Sequence, residues 1–86
     1  MGPYKIRIKR SATKELSKIH GKDRDRIVAR IRDLASNPRS LGAKKLSGEE
    51  KYRVRQGDYR ILYEIVDEAV TVYVVRIAQR GEAYRK

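Results

Sequence analysis

Apolar and polar residues alternate strictly over Tyr4-Lys5-Ile6-Arg7-Ile8-Lys9, the pattern of a strand with one buried and one wet face. The period then changes. Ala12, Leu16 and Ile19 recur at helical spacing behind Ser11, a suitable N-cap, and Gly21 interrupts this first short helix. A second helix is predicted from near Asp23, with Asp23 and Asp25 complementing the positive end of its dipole. Its apolar stripe is Ile27, Val28, Ile31, Leu34 and Ala35. Asn37-Pro38 ends it, because proline disfavours helical geometry in the residue before it. Residues 39–50 read as a loop anchored by Leu41 and Leu46 and broken by Gly42 and Gly48. Alternation returns in three runs, 51–56, 59–66 and 70–77, with turns at Gly57-Asp58 and Asp67-Glu68.

This β-α-α-β-β-β order predicts an α+β fold, with two N-terminal helices packed on one face of a small, mainly antiparallel sheet. Residues 1–86 form one domain, since a chain this short has no room for a second core. A two-residue turn at Gly57-Asp58 sets Gln56 opposite Tyr59 and Arg55 opposite Arg60. Ile61, Tyr63 and Ile65 then face Val70, Val72 and Val74, on the same side as Tyr52 and Val54, and the helices cover that side. The other face carries Arg53, Arg55, Arg60, Leu62, Tyr73 and Val75. Lys5, Arg7 and Lys9 join it if the first strand enters the sheet. That face is open and basic.

Charge sharpens this picture. Lysine and arginine total 22 against 11 acids, a formal charge of +11 that attracts polyanions. Like charges placed opposite each other destabilise a sheet, so arginines at 53, 55 and 60 point to a bound anion, and to phosphate in particular. The chain has no cysteine, hence no disulfide and no thiolate metal site, and neither a metal nor a cofactor is predicted. His20, the one histidine, falls at the end of the first helix and reads as a solvated or capping residue. No apolar run approaches the ~18 residues of a membrane span, and the N-terminal residues enter a strand pattern directly. A soluble, cytoplasmic protein with no membrane partner is expected.

The arginine hairpin with its Gly-Asp-Tyr-Arg turn, the Ile-Leu-Tyr-Glu-Ile strand and the Arg80-x-x-x-Tyr84 ending resemble the RelE/ParE superfamily of bacterial type II toxins. The likeness spans nearly the whole chain. RelE-like members are described as endonucleases of mRNA in the ribosomal A site, and ParE-like members as gyrase inhibitors without the nuclease residues. The RelE-like pattern has two alternating basic residues, an arginine after the turn, a late arginine and a C-terminal tyrosine. These match Arg53 and Arg55, Arg60, Arg80 and Tyr84. Some members carry histidine before the late arginine; here it is Gln79.

The resemblance implies attack of a ribose 2′-hydroxyl on its own 3′-phosphate, without a metal. Arg60 and Arg80 would stabilise the phosphorane, and Arg53 and Arg55 would hold phosphates. Tyr84, whose phenolate a dense arginine cluster favours, would be the base or a stacking platform. Lys44 and Lys45 read as further, nonspecific phosphate contacts. Tyr73 reads as a stacking surface or a packed edge. The implied partners are the ribosome with its mRNA and a cognate antitoxin with an acidic or amphipathic segment. The toxin alone would be a monomer, and with antitoxin a hetero-oligomer. A gyrase inhibitor and a non-catalytic RNA- or ribosome-binding module are the alternatives.

Overall fold

In the computed structural model, which describes residues 3–40, 42–46 and 50–79, strand β1 (Lys5–Ile8) leads into helices α1 (Arg10–Ser17) and α2 (Gly21–Ser36). Then come β2 (Lys44–Leu46), β3 (Lys51–Gln56), β4 (Tyr59–Val66), a 3-10 turn (Asp67–Ala69) and β5 (Thr71–Gln79). The described strands form one sheet in the order β1-β5-β4-β3-β2, antiparallel except for the β1–β5 pair. The expected α+β architecture is therefore present, with one strand more than the hydrophobic pattern shows. β2 lies within the segment read as a loop. Lys-Lys-Leu lacks the alternation of a half-buried strand, and antiparallel pairing with β3 supplies what its composition does not. Leu41 and Gly48 lie outside the described residues.

Both helices cover the same sheet face. Ala12, Ile19, Ile27, Ile31 and Leu34 join Tyr52, Val54, Ile61, Tyr63, Ile65, Val72, Val74 and Ile77 in one buried cluster. Tyr63 is the largest fully buried side chain; it stacks on Tyr52 and donates a 2.6 Å hydrogen bond to the Pro38 carbonyl. Burial pushes its phenol up to about 12.

Several local expectations are corrected. Helix α1 begins at Arg10, with Lys9 as its cap and no side-chain cap bond, so Ser11 is helical. Helix α2 begins at Gly21, ahead of Asp23. Gly21 opens this helix instead of breaking the previous one, and its φ of 28° suits glycine. Val70 does not join the core face. It closes the 3-10 turn in a left-handed conformation and is 42% exposed.

β5 also changes register partway along β4. Tyr63 pairs with Val74 but Leu62 pairs with Arg76, which leaves Val75 as an extra residue in a bulge. The bulge turns Ile77 into the core and sets Ala78 opposite Arg60 on the other face. Unbroken alternation from Val72 would have sent Ile77 outward.

β1 ends at Ile8, opposite Val74, and leaves the outer edge of β5 uncovered beyond that point. Glu15 of α1 fills the gap. Its Oε1 accepts the Ile77 N–H at 2.8 Å, and its Oε2 lies 3.6 Å from Arg76 Nε. The carboxylate stands where a neighbouring strand's carbonyl would, which blunts an otherwise adhesive edge. Among the described residues no helix is long and apolar enough to cross a membrane.

Candidate nucleic-acid interface

The hairpin turn fixes the register of the basic residues. Gly57, first of the two turn residues, takes φ 61°, which a II′ hairpin turn demands there and glycine reaches without a Cβ clash. Gln56 consequently faces Tyr59 and Arg55 faces Arg60, with Arg53 opposite Leu62. On the next strand Lys44 stands opposite Arg53. Strand alternation puts Lys44, Arg53, Arg55 and Arg60 on the face away from the helices.

The four differ in exposure. Lys44 and Arg55 are exposed and Arg53 is half-buried, while Arg60 is only 9% exposed between Arg55 and Ala78. Lys44, Arg53 and Arg55 form no ion pair among the described residues. Two depressions flank Arg55. The larger, about 250 Å³, is lined by Gly42, Lys44, Arg53 and Arg55. The smaller, about 30 Å³, is lined by Arg55, Gly57, Asp58, Tyr59 and Arg60. The larger depression has no acid in its lining, and its forked guanidinium donors suit an anionic oxygen cluster.

Other predicted site residues fall elsewhere. Lys45 pairs with Tyr52, so it points to the helix-covered side, and its ammonium lies 3.1 Å from Glu50. Tyr73 is half-buried on the open face, between Arg7 and Glu64. Glu64 stands opposite Lys51 and Tyr73, four residues along β4 from Arg60. Arg80 and Tyr84 lie outside the described residues, which end at Gln79 opposite Tyr59.

Acids gather at the opposite end of the sheet, around Arg39, to which sequence reading gave no role. Its Nη2 bridges Glu50 and Asp67, its Nε donates to the Tyr52 hydroxyl at 3.1 Å, and Tyr4 donates to Asp67 at 2.7 Å. Hydrogen bonding to Arg39 holds both carboxyls below their ordinary range. The bond to Asp67 raises the Tyr4 phenol. One end of the sheet is thus internally neutralised, while the hairpin end is mainly basic, with Asp58 at its turn.

Comparison with known proteins identifies the family. The family model described as the ParE toxin of the parDE type II toxin–antitoxin system matches residues 6–84. The chain belongs to this toxin family. Its relatives place it on the RelE-like side. Toxin RelG of Mycobacterium tuberculosis is 33% identical, covering 98% of this chain and 99% of RelG. The mRNA interferase toxin RelE of Escherichia coli is 31% identical, covering 85% of this chain and 81% of that protein. The crystal structure of that isolated toxin superposes with a TM-score of 0.79 at 25% identity, covering 88% and 83% of the two chains. A chain of the toxin–antitoxin complex RelBE2 of M. tuberculosis gives a TM-score of 0.66 at 32% identity, covering 94% of this chain and 95% of that one. This RelE-like toxin carries its basic hairpin on the sheet face its helices leave uncovered.

Proposed function

We propose that this toxin is a ribosome-dependent, metal-independent endoribonuclease of translated mRNA. The observation that carries the reading is the cluster of Arg53, Arg55 and Arg60 on an uncovered sheet face, aligned by one two-residue turn. In the proposed reaction the 2′-hydroxyl attacks the adjacent 3′-phosphate. The P–O5′ bond breaks, giving a 2′,3′-cyclic phosphate and a 5′-hydroxyl. One proton leaves the nucleophile and one reaches the departing oxygen. Arg60 and Arg80 stabilise charge on the phosphorane, and Arg53 and Arg55 hold the flanking phosphates. Tyr84 takes the proton of the nucleophile or stacks beneath a base. Arginine, with a pKa above about 12, is unsuited to the base's role.

A site so poor in acid–base groups depends on another scaffold to align its substrate, and the ribosome supplies that alignment. The antitoxin is the proposed inhibitory partner, as the RelBE2 complex among its relatives suggests. The second reading, gyrase inhibition, draws on the parDE wording of the family description. It gives no reason for the matched set Arg53, Arg55, Arg60, Arg80 and Tyr84. Primer extension on mRNA from cells expressing the chain separates the two. Cuts in register with translated codons support the nuclease, and intact mRNA with lost supercoiling supports the alternative.

A further inference from the structure

The first strand carries cations that the nuclease reading leaves unused. β1 enters the sheet parallel to β5, with Lys5 paired to Thr71 and Arg7 to Tyr73. Val72 and Val74 are fully buried under the helices, so alternation sends Tyr73, Arg7 and Lys5 to the open face. Ile6 and Ile8 turn the other way, beside Leu16 and Ile31. Lys9 immediately follows β1, two residues beyond Arg7. Lys5, Arg7 and Lys9 are all exposed and form no ion pair among the described residues.

This row is distinct from the hairpin arginines. β5 and β4 lie between β1 and β3, and Tyr73 and Leu62 occupy the open face there. The register also staggers the two rows. Arg7 is level with Tyr73, Glu64 and Lys51, whereas Arg55 is level with Arg60 and Ala78. Acids at this end of the sheet leave the row unneutralised. Asp67, in the turn that meets β1, is held by Arg39 and Tyr4, and Tyr73 separates Glu64 from Arg7.

We propose that Lys5, Arg7 and Lys9 form a second phosphate-binding row, which seats the toxin on the folded RNA of the ribosome while the hairpin arginines hold the mRNA. The row suits RNA better than an acidic protein because its side of the strand offers charge alone. Lys5 and Arg7 stand ~6.6 Å apart along β1 with no apolar side chain between them on that side. Protein partners rely on apolar or aromatic anchors, whereas a phosphate backbone is held by cations without them. The proposal rests on the ribosome-dependent reading and gives that dependence a contact surface of its own.

The test measures binding of the full chain to three probes at about 50 to 200 mM salt. They are ribosomes free of mRNA, a single-stranded 2′-deoxy oligonucleotide, which lacks the attacking hydroxyl, and polyglutamate. The double variant Lys5→Gln/Arg7→Gln is compared with Lys22→Gln, an exposed α2 residue, and with Arg53→Gln. Each phosphate contact adds about 0.9 to the log–log salt slope on duplex nucleic acid. The double variant is expected to lose about 1.8 in slope on ribosomes and to bind them roughly tenfold or more weakly. It should hold the oligonucleotide as Lys22→Gln does, whereas Arg53→Gln should weaken that binding. Lys5→Arg/Arg7→Lys keeps both charges and should bind ribosomes as the wild type does. Arg7→Gln alone, with half the change in slope, carries the test if the double variant fails to fold. Ribosome binding equal to that of Lys22→Gln leaves the row with edge protection only and overturns the proposal, as does a loss confined to polyglutamate. Equal losses on ribosomes and oligonucleotide overturn the separation of the two rows. A wild-type chain that binds neither nucleic acid overturns the RNA-binding face itself.

Discussion

Arg55 and Arg60 stand directly opposite each other across the Gly57-Asp58 turn, two cations paired in one hairpin. Like charges so placed cost roughly 0.2–1 kcal/mol, and nothing in the core requires them, since their partners in alternation already fill the helix-covered face. Arg55→Thr is therefore expected to stabilise the fold by roughly that amount. The midpoint of thermal unfolding should rise by a few degrees at low salt, with a smaller gain in 0.5 M salt. The same substitution should lower mRNA cleavage roughly 10-fold or more, the loss expected when a charged hydrogen bond to a held phosphate is removed. Calorimetry at two salt concentrations, alongside a cleavage assay, checks both halves.

Glu15 should behave as the stand-in for a missing strand. Glu15→Ala leaves the Ile77 N–H without its acceptor and is expected to cost roughly 1 kcal/mol. Glu15→Gln keeps an accepting oxygen and should cost less. Hydrogen exchange reads this directly: the Ile77 amide is protected in the wild type and Glu15→Gln, and exchanges quickly in Glu15→Ala. Cleavage should weaken along with that protection, because Gln79, the last residue of β5, precedes the proposed catalytic Arg80 in the sequence.

Arg39 should set the acid limb of stability. Asp67 and Glu50 titrate lower in the folded chain than in the unfolded one. Their contribution is complete above the ordinary carboxylate range near 4 and is lost as pH falls through the lowered folded values. Urea unfolding from pH 6 to pH 2 is expected to show this decline, and Asp67→Asn to flatten it.

Tyr63 governs the alkaline limb in the opposite sense. Its folded phenol is raised to about 12, so its neutral form contributes fully below the ordinary value near 10 and is lost as pH climbs between the two. Absorbance titration should find Tyr63 ionising together with unfolding. Tyr63→Phe should remove that step and cost roughly 0.5–1.5 kcal/mol at neutral pH, through the lost bond to Pro38.

Much of the fold was legible because local signals agreed with one another. Gly57-Asp58 between alternating runs set the register of Arg55 on Arg60, and the apolar stripe of α2 supplied Ile27, Ile31 and Leu34 to the core. What escaped depends on contacts distant in sequence. β2 exists through its pairing with β3, the bulge at Val75 through the fit of β5 to β4, and the role of Glu15 through where β1 stops. Lys44 and Lys45 look alike in sequence, yet a single step of alternation sends one to the basic face and the other to Glu50. Arg39 was one among 22 lysines and arginines, with nothing local to single it out.

Arg60 offers the most direct test of the nuclease reading, because it is held at the centre of the basic face, between Arg55 and Ala78. The measurement is mRNA cleavage in a purified translation system by the wild type and by Arg60→Gln, with the product ends determined. The wild type should leave 2′,3′-cyclic phosphate and 5′-hydroxyl ends within translated codons, and little cleavage should occur without ribosomes. Arg60→Gln should lose at least about 100-fold in rate while remaining folded. Cleavage by Arg60→Gln at the wild-type rate, or mRNA left whole by the wild type, would contradict the account.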